Sequence, residues 1–156
     1  MNDVAVAAGV GRATVYAHFA SRAELIDASL TSVLSRGDEV LGALDLDGEV
    51  TDAFARLVTV SWELLDESRA LLEAAQNELA PERIRTLHAP LEGRVIELIE
   101  RGRAQGVFRV DLPTSWLVAS MHALLQAAAS EIAAKRLVPA DAPEVLNRSL
   151  LSSFSA

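Results

Sequence analysis

Between Gly9 and Ile26 the chain reads GVGRATVYAHFASRAELI, and this short stretch gathers groups suited to one kind of recognition. Thr14 and Tyr16 bring hydroxyls, His18 an imidazole, and Arg12 and Arg22 guanidinium groups. Hydroxyls and guanidinium groups bind phosphate oxygens, and a guanidinium fork also matches the O6/N7 edge of guanine. Catalytic chemistry finds less support. His18, His88 and His122 show no metal-ligand spacing, and the chain has no HExxH, no GxSxG and no glycine-rich phosphate loop. It has no cysteine, which excludes disulfides, thiolate nucleophiles and thiolate metal sites. The expectation is a protein that is not an enzyme and uses neither metal nor cofactor.

The binding groups need elements to hold them. Asp3 to Ala8 reads as a short helix with a small apolar face. Gly9 can adopt the left-handed conformation that ends such a helix, and Val10 fills the turn. Arg12 to Phe19 reads as a second short helix, with Val15 and Phe19 facing inward. This is helix–turn–helix spacing, in which the second helix enters the DNA major groove by its N-terminal residues. Gly11, Arg12, Thr14, Tyr16, His18 and Arg22 are the candidate DNA-binding residues. Arg12 can read a guanine, whereas His18 and Arg22 reach the flanking backbone. Ser21 and Glu24 are spaced as a capping box and open a long helix predicted to run to Leu44.

The remaining sequence favours helices throughout. The composition is 51% hydrophobic and 4% aromatic, so the core is aliphatic, rich in good helix formers and poor in strand formers. DLDG (45–48) breaks the long helix. Apolar spacing predicts a helix from Val50 to Leu65, a shorter one over 68–79, and another starting at Pro81 that Pro90 interrupts or kinks. QGVFRVDLP (105–113) reads as a loop, 113–136 as a long helix, VPADAP (138–143) as a loop in which Asp141 and Glu144 are spaced like a capping box, and the segment carrying Val145, Leu146, Leu150, Leu151 and Phe154 as a last amphipathic helix. No strand is expected. No apolar run approaches the roughly 18 residues of a membrane span, and the N-terminus shows no signal pattern. The location expected is cytoplasmic.

Net charge is −8, which argues against general nucleic-acid affinity. The charge is unevenly spread. Within residues 1–36, Arg12, Arg22 and Arg36 balance Asp3, Glu24 and Asp27, so residues 37–156 carry all of it. Any DNA contact is local to the N-terminal end.

The motif AxxAGVxxxTVYxHFxSRxEL (residues 5–25) resembles the tetracycline-repressor (TetR) family of bacterial transcription regulators. Ala8-Gly9-Val10, Thr14-Val15-Tyr16, His18-Phe19, Arg22 and Leu25 fill the family's positions. RGRAQGVFRVDLP and the apolar helix after it resemble, more loosely, the segment before the family's dimer-forming helices. The sequence departs at Gly11, where the family commonly has Ser or Thr; glycine still caps, losing only a few tenths of a kcal/mol. It also lacks the helix that precedes the family's helix–turn–helix. A misassigned start, a truncated chain and a naturally short protein are the three readings of that difference.

The resemblance implies an all-α homodimer in which a DNA-binding region, here residues 1–44 with the connecting helix, joins a ligand-binding and dimerisation body, residues 45–156. It implies a double-stranded DNA operator, a small-molecule effector and no membrane partner. Candidate pocket residues are Trp62, Gln76, His88, Trp116, Met121 and His122; core packing, or an exposed histidine, is the plainer role for each. The family's last two helices pair between protomers, which points to Leu124, Ala127, Ala128, Glu131, Leu146 and Leu150 as interface. The function implied is a ligand-responsive repressor. The alternative is a dimeric helical small-molecule-binding protein that has lost DNA binding.

Overall fold

The computed structural model describes residues 1–156 and is all-α. Its helices are α1 (Asn2–Ala7), α2 (Arg12–His18), α3 (Arg22–Gly42), α4 (Val50–Glu78), α5 (Pro81–Ala104), α6 (Thr114–Ala133) and α7 (Ala142–Phe154). A single 3-10 turn, Pro139–Asp141, precedes α7. The sole β feature is an isolated bridge between Phe108 and Ser155. No helix is long and apolar enough to cross a membrane.

Three local expectations are corrected. The two helices expected over 50–79 are one helix, α4, of 29 residues. The polar run Asp66-Glu67-Ser68-Arg69 contains neither Gly nor Pro, so nothing in it stops a helix, and Ser68 is buried on the inner face. Helix α5 passes through Pro90 without interruption. Asp141 makes no side-chain cap to α7. It lies in the 3-10 turn with φ −89° and ψ −14°, not in the extended conformation a capping residue adopts.

The chain divides into two compact units. The first comprises residues 1–36 and 68–88. Its buried apolar side chains include Ala5, Val15, Ile26, Leu30, Leu34 and Ala75. Two ion pairs tie the start of α3 to the α4–α5 corner: Arg22 Nε lies 3.1 Å from Glu78 Oε1, and Arg83 Nε lies 2.7 Å from Asp27 Oδ1. Val4, Val6 and Val10 are exposed.

The second unit comprises residues 37–67 and 89–156. Its core is largely aliphatic, with Trp62 buried in it and with Phe54, Phe108 and Phe154 meeting at ring centroids 5.2–6.3 Å apart, no pair stacked face to face. Polar groups fasten its loops. Arg56 donates to the carbonyls of Asp45 and Asp47, and Arg101 to that of Leu46, which holds the α3–α4 connection. The α5–α6 connection is tied to the C-terminus through Arg109 N–H to Phe154 O (2.8 Å) and Ala156 N–H to Val107 O (3.0 Å).

Gly102 makes the seat for Phe108. A Cβ at this position would lie inside the van der Waals envelope of the Phe108 ring, and both residues are buried. Gly102→Ala should therefore destabilise the protein by about 1–3 kcal/mol, the usual cost of overpacking a core. Denaturant unfolding reads this, and an unchanged midpoint would mean that the ring has free room to move.

Candidate nucleic-acid interface

The helix–turn–helix is built by its backbone. Gly9 has φ +66°, the left-handed conformation anticipated for it. The Gly9 N–H donates to Val6 O (3.2 Å) and the Val10 N–H to Ala5 O (3.0 Å). These are the paired bonds of a Schellman ending, and they terminate α1 and turn the chain into α2. Gly11 is the extended residue before α2 (φ −70°, ψ 147°) and has no side chain to cap with. Its carbonyl accepts the Thr14 N–H at 2.9 Å.

Helix α2 sorts its residues by face. Val15 is buried and Phe19, just past the helix, is half-buried, whereas Arg12, Thr14, Tyr16 and His18 are exposed. Arg12 and Tyr16, four apart, meet: the guanidinium carbon sits 5.4 Å from the ring centroid. A cation over an aromatic face is favourable, and it restricts an arginine that would otherwise range over many rotamers. Tyr16 is 42% exposed, so its hydroxyl remains available. The structure thus presents a cation, two hydroxyls and an imidazole on one short helix.

The next helix begins as its sequence dictates. The Glu24 N–H donates to Ser21 Oγ (3.1 Å), and the Glu24 carboxylate accepts the Ala20 N–H (2.7 Å). The reciprocal cap is present, reaching one residue further back than the simplest form. Arg22 is the first residue of α3, and its side chain is 62% exposed while paired with Glu78. Nearby, hydrogen bonds from Arg83 hold the Asp27 carboxyl below its ordinary pKa.

Glu78 was not among the candidates. It lies 56 residues from Arg22, and local spacing cannot connect them. One signal exists: a carboxylate in the last turn of a helix opposes the negative end of the helix dipole. A glutamate there points to a cation supplied from elsewhere.

The candidate effector residues lie in different surroundings. In the second unit, Trp62 and Met121 are buried in the same apolar cluster. Trp116 is 60% exposed. His122 Nδ1 lies 4.0 Å from Glu92 Oε1 near the surface. In the first unit, Gln76 is exposed, and half-buried His88 places Nδ1 2.9 Å from Ile84 O on its own helix. Asn147, on α7, was not among the candidates. Its amide donates to Thr59 Oγ1 (3.1 Å), while its Oδ1 is buried and has no partner. A lone Asn amid Val145, Leu146, Leu150 and Leu151 was the available cue.

The candidate interface residues also separate. Ala128, Leu146 and Leu150 are packed into the core of the second unit. Ala127 is exposed, Leu124 is half-buried, and Glu131 is half-buried and paired with Arg136 at 2.6 Å.

Residues 1–29 match the family described as bacterial regulatory proteins, tetR family. No curated protein sequence matches the chain. Two solved structures share its fold. One is described as a tetR family transcription regulator from Shewanella sp. PV-4, with TM-score 0.71 and 18% identity, covering 98% of this chain and 85% of that one. The other is described as a TetR-family transcriptional regulator from Rhodococcus sp., with TM-score 0.72 and 21% identity, covering 99% of this chain and 87% of that one. The N-terminal module is thus similar to that family, and the whole chain has the all-α fold of the two solved structures.

Proposed function

We propose that this chain, with its TetR-family module and fold, acts as a homodimeric, ligand-responsive transcriptional repressor in the cytoplasm. The observation that carries the reading is the face of α2. Arg12, Thr14, Tyr16 and His18 are all exposed there while Val15 is buried, on a charge-balanced segment of an otherwise acidic chain. DNA contact is assigned to Gly11, Arg12, Thr14, Tyr16, His18 and Arg22, within residues 1–44. Effector binding and dimerisation are assigned to residues 45–156, with Ala127, Leu124 and Glu131 on the side of α6 that meets the second copy.

The effector is a small apolar or amphipathic molecule. The largely aliphatic core of the second unit and the buried, unpartnered Oδ1 of Asn147 on α7 support this, because small-molecule sites combine apolar walls with a few polar groups. An effector with different affinities for two states of the dimer shifts their populations, and it weakens operator binding by that difference.

The test is selection from a random pool of DNA duplexes. A repressor dimer should enrich a two-fold symmetric sequence with half-sites about 34–36 Å apart, one helical turn. A pool that stays random after repeated rounds would remove the DNA-binding reading and leave the helical ligand-binding protein.

A further inference from the structure

We infer that Glu78 holds, in the DNA-free protein, the guanidinium that a DNA phosphate must engage, so that the Arg22–Glu78 pair gates backbone contact. The inference rests on the DNA-binding reading above and adds an antagonist to it. Arg22 opens α3, directly after the recognition helix, where a cation can reach the phosphates flanking the groove. Its Nε is 3.1 Å from Glu78 Oε1. A phosphate approaching Arg22 therefore meets a carboxylate already in place. Either the phosphate displaces Glu78, or the two anions share one guanidinium and repel each other at close range. Both routes lower the affinity.

The surroundings keep Glu78 in this role. It lies in the last turn of α4, where the helix dipole disfavours a carboxylate, so Arg22 is its compensation. The second link at this corner is bidentate, from Arg83 Nε and Nη2 to the two Asp27 oxygens at 2.7 and 2.9 Å. That pair holds the corner against α3, so a displaced Glu78 stays close and competes again. Arg83 is satisfied by Asp27 and does not draw Glu78 away. The other acid of this turn, Glu24, is occupied in capping Ala20. Because the pair is partly exposed, the gate is modest, on the order of two- to fivefold in affinity.

The experiment uses the full chain and sheared duplex DNA of mixed sequence, titrated over a range of salt. Four proteins are compared: the parent, Glu78→Gln, Arg22→Gln and the double variant. Glu78→Gln should bind about two- to fivefold more tightly than the parent. Arg22→Gln should bind more weakly and flatten the slope of log K against log salt by about 0.9, one phosphate's worth. In the Arg22→Gln background, Glu78→Gln should change nothing. Equal tightening in both backgrounds would overturn the gate, since it would report only the change in net charge. Weakening by Arg22→Gln with no effect of Glu78→Gln would overturn the gate and leave the DNA-binding reading intact. No binding by any of the four would overturn both.

Discussion

The double variant Arg12→Ala/Tyr16→Ala should bind the selected operator about a hundredfold more weakly than the parent, with its fold and oligomeric state unchanged. The size follows from the contacts. A well-placed guanidinium on a guanine edge accounts for about 1–3 kcal/mol of discrimination, and a hydroxyl bonded to a charged phosphate for about 1.5–3 kcal/mol. The two losses are not independent, because the Tyr16 ring lies under the Arg12 guanidinium and residues in contact couple. Tyr16→Phe separates them. It keeps the ring beneath Arg12 and deletes only the hydroxyl, so a loss intermediate between parent and double variant isolates the phosphate bond. Both side chains are exposed, and substitutions of that kind change stability by less than about 0.5 kcal/mol. Operator titration and solution mass measure the outcome. Affinity equal to the parent's would strip α2 of its assigned role.

Phe54→Ala should cost about 3–5 kcal/mol of folding stability, within the range for emptying a buried phenylalanine site. Phe54 is fully buried and touches both other rings of the aromatic cluster, Phe108 at 5.4 Å and Phe154 at 5.2 Å between centroids. Its neighbours cannot easily collapse into the space. Phe108 is seated over Gly102, and the backbone at Phe154 is bonded to Arg109. A typical domain has about 5–15 kcal/mol in total, so this single change removes a large share. Urea unfolding with an unchanged slope and a lower midpoint is the expected pattern. A shift of under about 1 kcal/mol would show that the site repacks.

Local chemistry made much of the helix–turn–helix readable in advance. Gly9 ends α1 because few residues tolerate φ +66°, and Ser21 with Glu24 starts α3 because a hydroxyl and a carboxylate satisfy free amides. Each of these is decided within a few residues. What was less readable lies where distant packing decides. Ser68 reads as a break in a polar run until its buried neighbours are known. Pro90 reads as an interruption, although the rest of α5 holds the helix through it. Ala128, Leu146 and Leu150 look equally suited to a dimer interface and to the protomer's own core, since an apolar side chain does not specify which partner covers it. Arg22 was readable as a cation and Glu78 as an anion, but their meeting depends on how α3 and α4 are brought together.

The two tryptophans give the second unit a built-in optical gauge. Trp62 is 4% exposed and Trp116 60% exposed. The first indole emits from an apolar setting at shorter wavelength, shielded from a soluble quencher. The second emits from water at longer wavelength and is open to the same quencher. The emission band should thus be a sum of two parts, from a chain with two tryptophans. Under the function proposed above, an effector entering the apolar interior should alter the blue, protected part, whereas a second copy whose contact along α6 extends to Trp116 should alter the red, quenchable part. Ligand uptake and self-association can be followed separately in unlabelled protein, in one cuvette.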